Sequence, residues 1–309
     1  MSIRTDAGRV GTDALETYLD TERQAVEAAL VRALDALAPA LASEVAGAVR
    51  HGVMGGGKRL RPILCVSAHA ACGGDGSEAV YDLAASLELI HAYSLMHDDL
   101  PCMDDADLRR GLPTTHKEHG EAVTMRAGAA LIPAAALQAL AACERLGCAP
   151  DVSEAVTAVL LRAAGAGGMV GGQWADLEGE GMSLGAAELD DLHRRKTGAL
   201  LAASLEMGAL AAGAEGPVVD AFRAYGRAVG LAFQIVDDVL DATQSAETLG
   251  KRPSDAAHGK STYVSLYGLD EARRRAVAES DRAVAALTDA GVEAPMLTAL
   301  ARFVVERQS

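Results

Sequence analysis

Apolar residues along most of this chain recur three and four positions apart, and strict alternation of apolar with polar is almost absent. That period predicts amphipathic helices and very little sheet. Glycine- and proline-bearing breaks punctuate the pattern at Gly73-Gly74-Asp75-Gly76, Gly111 to Pro113, Gly147 to Asp151, Gly179 to Gly185, Gly213 to Pro217 and Gly291 to Pro295. Such clusters mark turns. No shift in composition, internal repeat or low-complexity tract divides the chain, so residues 1–309 are expected to form one all-α domain, a bundle of roughly ten helices.

Two of these stretches turn polar where chemistry is expected. Val80, Ala84, Leu87, His91, Ser94 and Asp98 follow 3.6-residue spacing and share one stripe, apolar at first and polar over the last two turns. A helix lining a cavity has that character. Pro101 biases Leu100 out of the α region, so the helix is expected to break just past the aspartates. From Tyr225 to Asp241, the side chains of Gln234, Asp237, Asp238 and Asp241 fall within an arc of roughly 100°. Ala232, Ile235, Val236, Val239 and Leu240 take the opposite side.

The composition supports helix: half of the residues are apolar, mostly Ala and Leu, and aromatics are only 3%. A formal charge of −15 argues against nucleic acid or an anionic membrane as the main partner. Local basic groups (Lys58-Arg59-Leu60-Arg61, Arg109-Arg110, Arg194-Arg195-Lys196, Lys251-Arg252) would have to reverse the field for any anionic substrate. Cys65, Cys72, Cys102, Cys143 and Cys148 are odd in number and lack C-x-x-C spacing, which predicts neither a disulfide framework nor a zinc site. The first residues carry no apolar signal segment. The most apolar run, Ala127 to Ala142, is interrupted by Pro133 and Gln138 and reads as a buried core helix, with no stable membrane insertion. A cytoplasmic location is expected.

Asp98-Asp99-x₄-Asp104 and Asp237-Asp238-x₂-Asp241 carry the chemistry. One acidic pair reads as a solvated turn. Two clusters on helical stretches suggest carboxylate walls facing each other with divalent metal between. Mg²⁺ is held by one or two carboxylates and completes its shell with substrate phosphates, so the implied substrate is a diphosphate. A calcium loop is excluded, because Arg109 falls where an oxygen ligand is needed. Gly52 to Lys58 imitates a nucleotide P-loop, but Arg59 replaces the Ser or Thr and no strand precedes it. The Gly-rich backbone and its cations still suit a phosphate group. Gly165 to Gly172 reads as a site of close helix packing, and His91, on the stripe of Asp98, as a phosphate contact or a structural hydrogen-bonder.

Together the motifs GGKRLRP (Gly56 to Pro62), HAYSLMHDDLPCMDDADLRRG (His91 to Gly111), GGQWADL (Gly171 to Leu177), KTG (Lys196 to Gly198), FQIVDDVLD (Phe233 to Asp241), LGK (Leu249 to Lys251) and GKST (Gly259 to Thr262) resemble the trans-polyprenyl diphosphate synthases of the farnesyl and geranylgeranyl type. The resemblance covers about Gly55 to Leu266, in the family's order. It implies a homodimer of all-helical subunits, each around a deep central cavity. Asp98, Asp99, Asp104, Asp237, Asp238 and Asp241 match the family's Mg²⁺ carboxylates. Lys58, Arg61, His91 and Arg110 match its isopentenyl diphosphate contacts. Arg109, Lys196, Thr197, Gln234 and Lys251, with Lys260, match its contacts to the allylic diphosphate. The implied reaction ionises the allylic C–O bond, and the isopentenyl double bond attacks the cation.

Tyr93 and Ser94, five and four residues before Asp98, match the family's chain-length positions. Tyr93 with the four-residue spacer favours a C15 product, while Pro101-Cys102-Met103 and Ala136 lean toward C20. Departures from the pattern are Ala129 for Asp, Ala136 for Phe, Val264 for Pro, and a stretch between Lys251 and Lys260 one residue short. A terpene cyclase would usually carry a mixed Asn/Ser/Glu second motif and aromatic walls. A non-catalytic subunit would be expected to have lost metal or basic residues, and none is missing here.

Overall fold

The computed structural model describes residues 10–243 and 261–306. Lys251, Lys260 and the shortened stretch between them lie outside the described residues. The helices are α1 (Thr12–Leu37), α2 (Ser43–Met54), α3 (Leu60–Ala71), α4 (Glu78–Asp98), α5 (Thr115–His119), α6 (Glu121–Arg145), α7 (Pro150–Ala164), α8 (Met169–Glu178), α9 (Ala186–His193), α10 (Ala199–Ala211), α11 (Gly216–Thr243), α12 (Tyr263–Tyr267), α13 (Leu269–Asp289) and α14 (Pro295–Glu306). Eleven of them have ten residues or more. The expected all-α bundle is what forms, and five of the six glycine/proline breaks fall between helices. The sixth, Gly111 to Pro113, lies in an antiparallel hairpin of β1 (Leu108–Arg109) and β2 (Leu112–Pro113).

Helix α4 is the axis of the bundle. It is buried nearly all round, as a helix enclosed by others should be. Val80, Ala84 and Leu87 are fully buried, whereas His91, Ser94 and Asp98 further along the same stripe are only half-buried. Asp82, also on α4, is nearly inaccessible and accepts from Arg32 of α1 (2.7 Å) and from Arg145 of α6. Paired in this way, a buried charge ties three helices together at one level.

Small residues let the helices approach closely, which explains the Ala- and Gly-rich composition. A Cβ at Gly208 of α10 would stand 2.0 Å from the carbonyl oxygen of Cys65 on α3, and one at Gly226 of α11 would stand 2.5 Å from Cα of Ala202. The buried Tyr225 hydroxyl donates to the carbonyl of Leu297 (2.7 Å), fastening α11 to α14. All five cysteines are unpaired.

Helix α6 departs from the reading of its run as a buried core helix. Leu131, Ala135 and Ala139 are buried, but Met125, Leu137 and Leu140 are exposed, as is Leu161 on α7. Apolar periodicity marks a face that avoids water without saying whether its partner lies in the same subunit. By length and composition α6 and the stretch Pro150–Glu178 are long and apolar enough to cross a bilayer. The second is broken by the turn between α7 and α8, and one face of the first is packed within the bundle.

Candidate active site

The C-terminal end of α4, the start of α3, the α9–α10 junction and the C-terminal half of α11 enclose a cavity of about 810 Å³. Each wall is set by local sequence. Gly56 and Gly57 adopt φ of 82° and 130°, and Arg59 stands at φ 50°, left-handed values that turn the chain sharply into α3. A Cβ at Gly57 would lie 2.6 Å from the Arg110 guanidinium, and that guanidinium donates to the carbonyl of Gly56. Arg59, Arg61, Arg109 and Arg110 act electrostatically on His91, and Lys58 lines the same cavity.

The segment after α4 folds back on itself. The Asp104 N–H donates to the Asp98 carbonyl (2.8 Å), the Ala106 N–H to the Asp99 carbonyl (3.2 Å), and the Thr114 hydroxyl to the Ala106 carbonyl (2.7 Å). Asp104 is thereby brought beside Asp98, and the hairpin returns Arg109 to Asp99, whose Oδ1 it grips through Nε (2.9 Å) and Nη2 (2.6 Å).

On the facing side, α9 and α10 are joined by a five-residue π turn, Arg194–Gly198. Such turns concentrate at functional sites, because one extra residue per turn re-aims side chains. Here Lys196 donates to Asp176 on α8 (2.6 Å), and Thr197 donates to Gln234 on α11, which in turn reaches Asp237 (3.3 Å). Gly172 makes the arrangement possible: a Cβ there would stand 2.2 Å from the Lys196 backbone nitrogen. Arg194 and Arg195 instead pair with Asp191.

A family model for polyprenyl synthetase matches residues 42–290. This chain belongs to the polyprenyl synthetase family. It is 40% identical over 302 residues to the farnesyl diphosphate synthase of Escherichia coli, covering 92% of this chain and 98% of that protein. It is likewise 40% identical over 301 residues to geranylgeranyl pyrophosphate synthase 11 of Arabidopsis thaliana, a chloroplastic protein, covering 95% of this chain and 82% of that one. The crystal structure of a geranyltransferase from Legionella pneumophila superimposes with a TM-score of 0.84 at 32% identity, covering 96% of this chain and 98% of that chain.

Within this polyprenyl synthetase fold the structure brings together Lys58, Arg61, His91, Asp104, Arg109, Arg110, Lys196, Thr197, Gln234, Asp237, Asp238 and Asp241 along one cavity. Asp98 joins them electrostatically, acting with Lys196 and Asp104. Asp99 and Asp238 are buried and already engaged, by Arg109 and by the backbone N–H of Tyr263 (2.7 Å) respectively. Tyr93 and Ser94 stand apart from the cavity lining: Tyr93 is 6% exposed and edge-on to His97 at 5.6 Å, and Ser94 donates to the His91 carbonyl (2.9 Å).

Arg59, Glu88 and Asp176 are among the lining residues that were not singled out from sequence as site residues. Arg59 pairs with the buried Glu88 (2.7 Å), one turn before His91, and Asp176 holds Lys196. Each partner is at least 20 residues away in the chain, so no local spacing could reveal it.

At the cation end Lys58, Arg59, Arg61 and Arg110 outnumber the carboxylates of Glu27 and Glu88. Burial lowers Arg61 to about 10; Glu88 opposes that shift and Arg110 adds to it. Burial and four arginines hold His91 well below its usual range, so it stays a neutral donor. Among the described residues, Nε and Nη2 of Arg59 and Nε of Arg61 are buried without a hydrogen-bond partner, the Arg59 Nε lying 3.8 Å from Glu27. Orphaned buried donors and mutually repelling cations suit an anion rich in oxygen.

The aspartate end has the opposite excess. Burial pushes Asp98 up to about 7; Lys196 opposes the shift, while Asp104 and Asp99 reinforce it. These are hard oxygen donors crowded against like charge. No three His, Cys, Asp or Glu side chains among the described residues form a metal cluster by themselves.

A pH dependence follows. Below pH 7 the Asp98 carboxyl carries a proton that a metal must displace, and above it the carboxylate is free. The Mg²⁺ concentration for half-maximal activity should be about tenfold higher at pH 6 than at pH 8. A flat profile would show that Asp98 is ionised before metal arrives.

Proposed function

We propose that this chain condenses isopentenyl diphosphate with allylic diphosphates, in a Mg²⁺-assisted head-to-tail prenyl transfer that ends at trans-farnesyl diphosphate. One observation carries the reading: a single cavity holds two sets of diphosphate-binding groups, one standing with the aspartate clusters and the other with Glu88 as its nearest lining carboxylate. Lys58, Arg61, His91 and Arg110 form a metal-free nest that suits isopentenyl diphosphate. Arg109, Lys196, Thr197 and Gln234 stand with the aspartates and suit the allylic partner.

Asp98, Asp104, Asp237 and Asp241, with Asp99 and Asp238 behind them, would hold Mg²⁺, which when bound neutralises charge developing on the leaving diphosphate. The chain's own groups orient the reaction. Lys196 and Arg109 bind the departing oxygens, while the nest presents the isopentenyl double bond from the other side. Leu95, Leu201 and Phe233 line the cavity between and keep water from the allylic cation. No side-chain nucleophile is required. Positioning and preorganised charge supply the rate. The released diphosphate is the base that takes the final proton.

Product length rests on α4. Neither Tyr93 nor Ser94 lines the cavity, and Tyr93 is packed in the core. Tyr93 is thus turned into the bundle and not presented to the cavity as a floor, so C15 rests on the match of Tyr93 and the four-residue spacer to farnesyl synthases. The second reading, C20, is favoured by the half-buried Ala136, a small side chain on the neighbouring α6. Product mass from dimethylallyl and isopentenyl diphosphates decides between them. Wild type should stop at C15, and by the match at Tyr93 the Tyr93→Ala change should shift products to C20 or longer. If wild type already makes C20 and Tyr93→Ala changes nothing, Tyr93 does not set product length.

The exposed Met125, Leu137, Leu140 and Leu161 support association into a homodimer through α6 and α7. A mass in solution of one 31.8 kDa chain would count against it. Five unpaired cysteines fit a reducing compartment, and we place the protein in the cytoplasm.

A further inference from the structure

Residues 261–263 join three parts of the cavity rim. The Ser261 hydroxyl accepts from the Leu184 N–H (2.9 Å) and donates to the Met182 carbonyl (3.1 Å), pinning the turn between α8 and α9. The Tyr263 backbone N–H donates to Asp238 Oδ2 (2.7 Å) on the second aspartate wall. The Tyr263 hydroxyl donates to Asp190 on α9. Its ring stacks on His193 (5.6 Å, 25°), the residue immediately before the π turn that carries Lys196 and Thr197. Tyr267 stacks with Tyr263 as well (6.3 Å), and Arg275 covers Tyr267 at 3.7 Å. Tyr263 is fully buried, and Thr262 caps the short helix it begins by accepting from the Ser265 N–H (3.1 Å).

We propose that Tyr263 is a positioning residue that locks the second aspartate wall to the π turn, fixing the allylic-diphosphate cations and carboxylates in one geometry. The proposal rests on the reading of that subsite given above. Its physical basis is the number of independent tethers on one rigid side chain. A buried phenol must place its O–H on a partner, and Asp190 is that partner. The ring, clamped between His193 and Tyr267, then has one orientation, and the backbone N–H of the same residue orients Asp238. Groups that hold the reacting assembly need this kind of support, because small displacements at the reacting atoms cost large factors in rate. Tyr263 touches neither substrate nor metal in this account and acts only through Asp238, Asp190 and His193.

Tyr263→Phe removes one oxygen and keeps the ring. In substrate-free protein, amide hydrogen exchange over residues 190–198 should become about tenfold faster, as expected for loss of one buried hydrogen bond. In turnover, kcat should fall about tenfold and the KM for the allylic diphosphate should rise, while the KM for isopentenyl diphosphate stays within about twofold. Asp190→Ala should reproduce these changes, and Asp190→Asn, which keeps a carbonyl oxygen, should recover most of the loss. Unchanged exchange in Tyr263→Phe, or equal shifts in both KM values, would overturn the proposal. Faster exchange in a protein that condenses nothing would uphold the lock and remove the reading of the subsite.

Discussion

Asp98→Ala and Asp237→Ala should each lower turnover by at least about 10²–10³ with helix content unchanged, since removing one electrostatic stabiliser of the transition state already costs that much. In the proposed arrangement the two residues face each other from the end of α4 and the C-terminal half of α11. Asp98 is held up at about 7 by burial and by Asp104 and Asp99, so it contributes its full charge only when a cation joins it. Replacing it relieves repulsion in the empty site and leaves the bound diphosphate short of a counter-charge. The fold should therefore tolerate the change better than the reaction does. Circular dichroism and steady-state diphosphate release measure the two separately. Near-normal turnover in either variant would contradict the two-wall arrangement.

Arg61→Ala should raise the KM for isopentenyl diphosphate by about 10- to 100-fold, the range for losing hydrogen bonds to a charged group, and leave the allylic KM within a few-fold. Arg61 stands half-buried beside Arg110 and His91 and carries a buried N–H without a partner among the described residues. Its charge is maintained against that crowding by Glu88. An incoming diphosphate relieves all of these strains together. Lys196→Ala should act the other way, on kcat and the allylic KM, because Lys196 lies with Asp176 and Asp98 on the opposite side. If both variants raise the same KM and spare the other, the division of the cavity into two diphosphate sites is wrong.

The parts of this site that were legible in the sequence are those written in local periodicity. Gln234, Asp237 and Asp241 share a face because 3.6-residue spacing places them there, and that face lines the cavity. The break after α4 follows from Pro101, and the remaining glycine-rich breaks mark where helices end. What stayed hidden depends on contacts between distant segments. The π turn at Lys196 packs backbone-close against Gly172 of another helix, and nothing around Lys196 itself announces it. The Arg59–Glu88 pair and the Asp176–Lys196 pair have the same origin. Six aspartates read alike in sequence, yet Asp99 and Asp238 are turned inward to Arg109 and Tyr263, while Asp98, Asp104, Asp237 and Asp241 remain partly accessible. Helix α6 shows the converse limit: its apolar positions were visible, but not the exposure of one side of them.

The most direct measurement is product analysis after incubation with Mg²⁺ and geranyl diphosphate, with and without isopentenyl diphosphate. The account predicts farnesyl diphosphate and stoichiometric free diphosphate only when both substrates are present, and no hydrocarbon from geranyl diphosphate alone. Cyclised hydrocarbon from the allylic substrate alone, or no turnover with both substrates at saturating Mg²⁺, would contradict it.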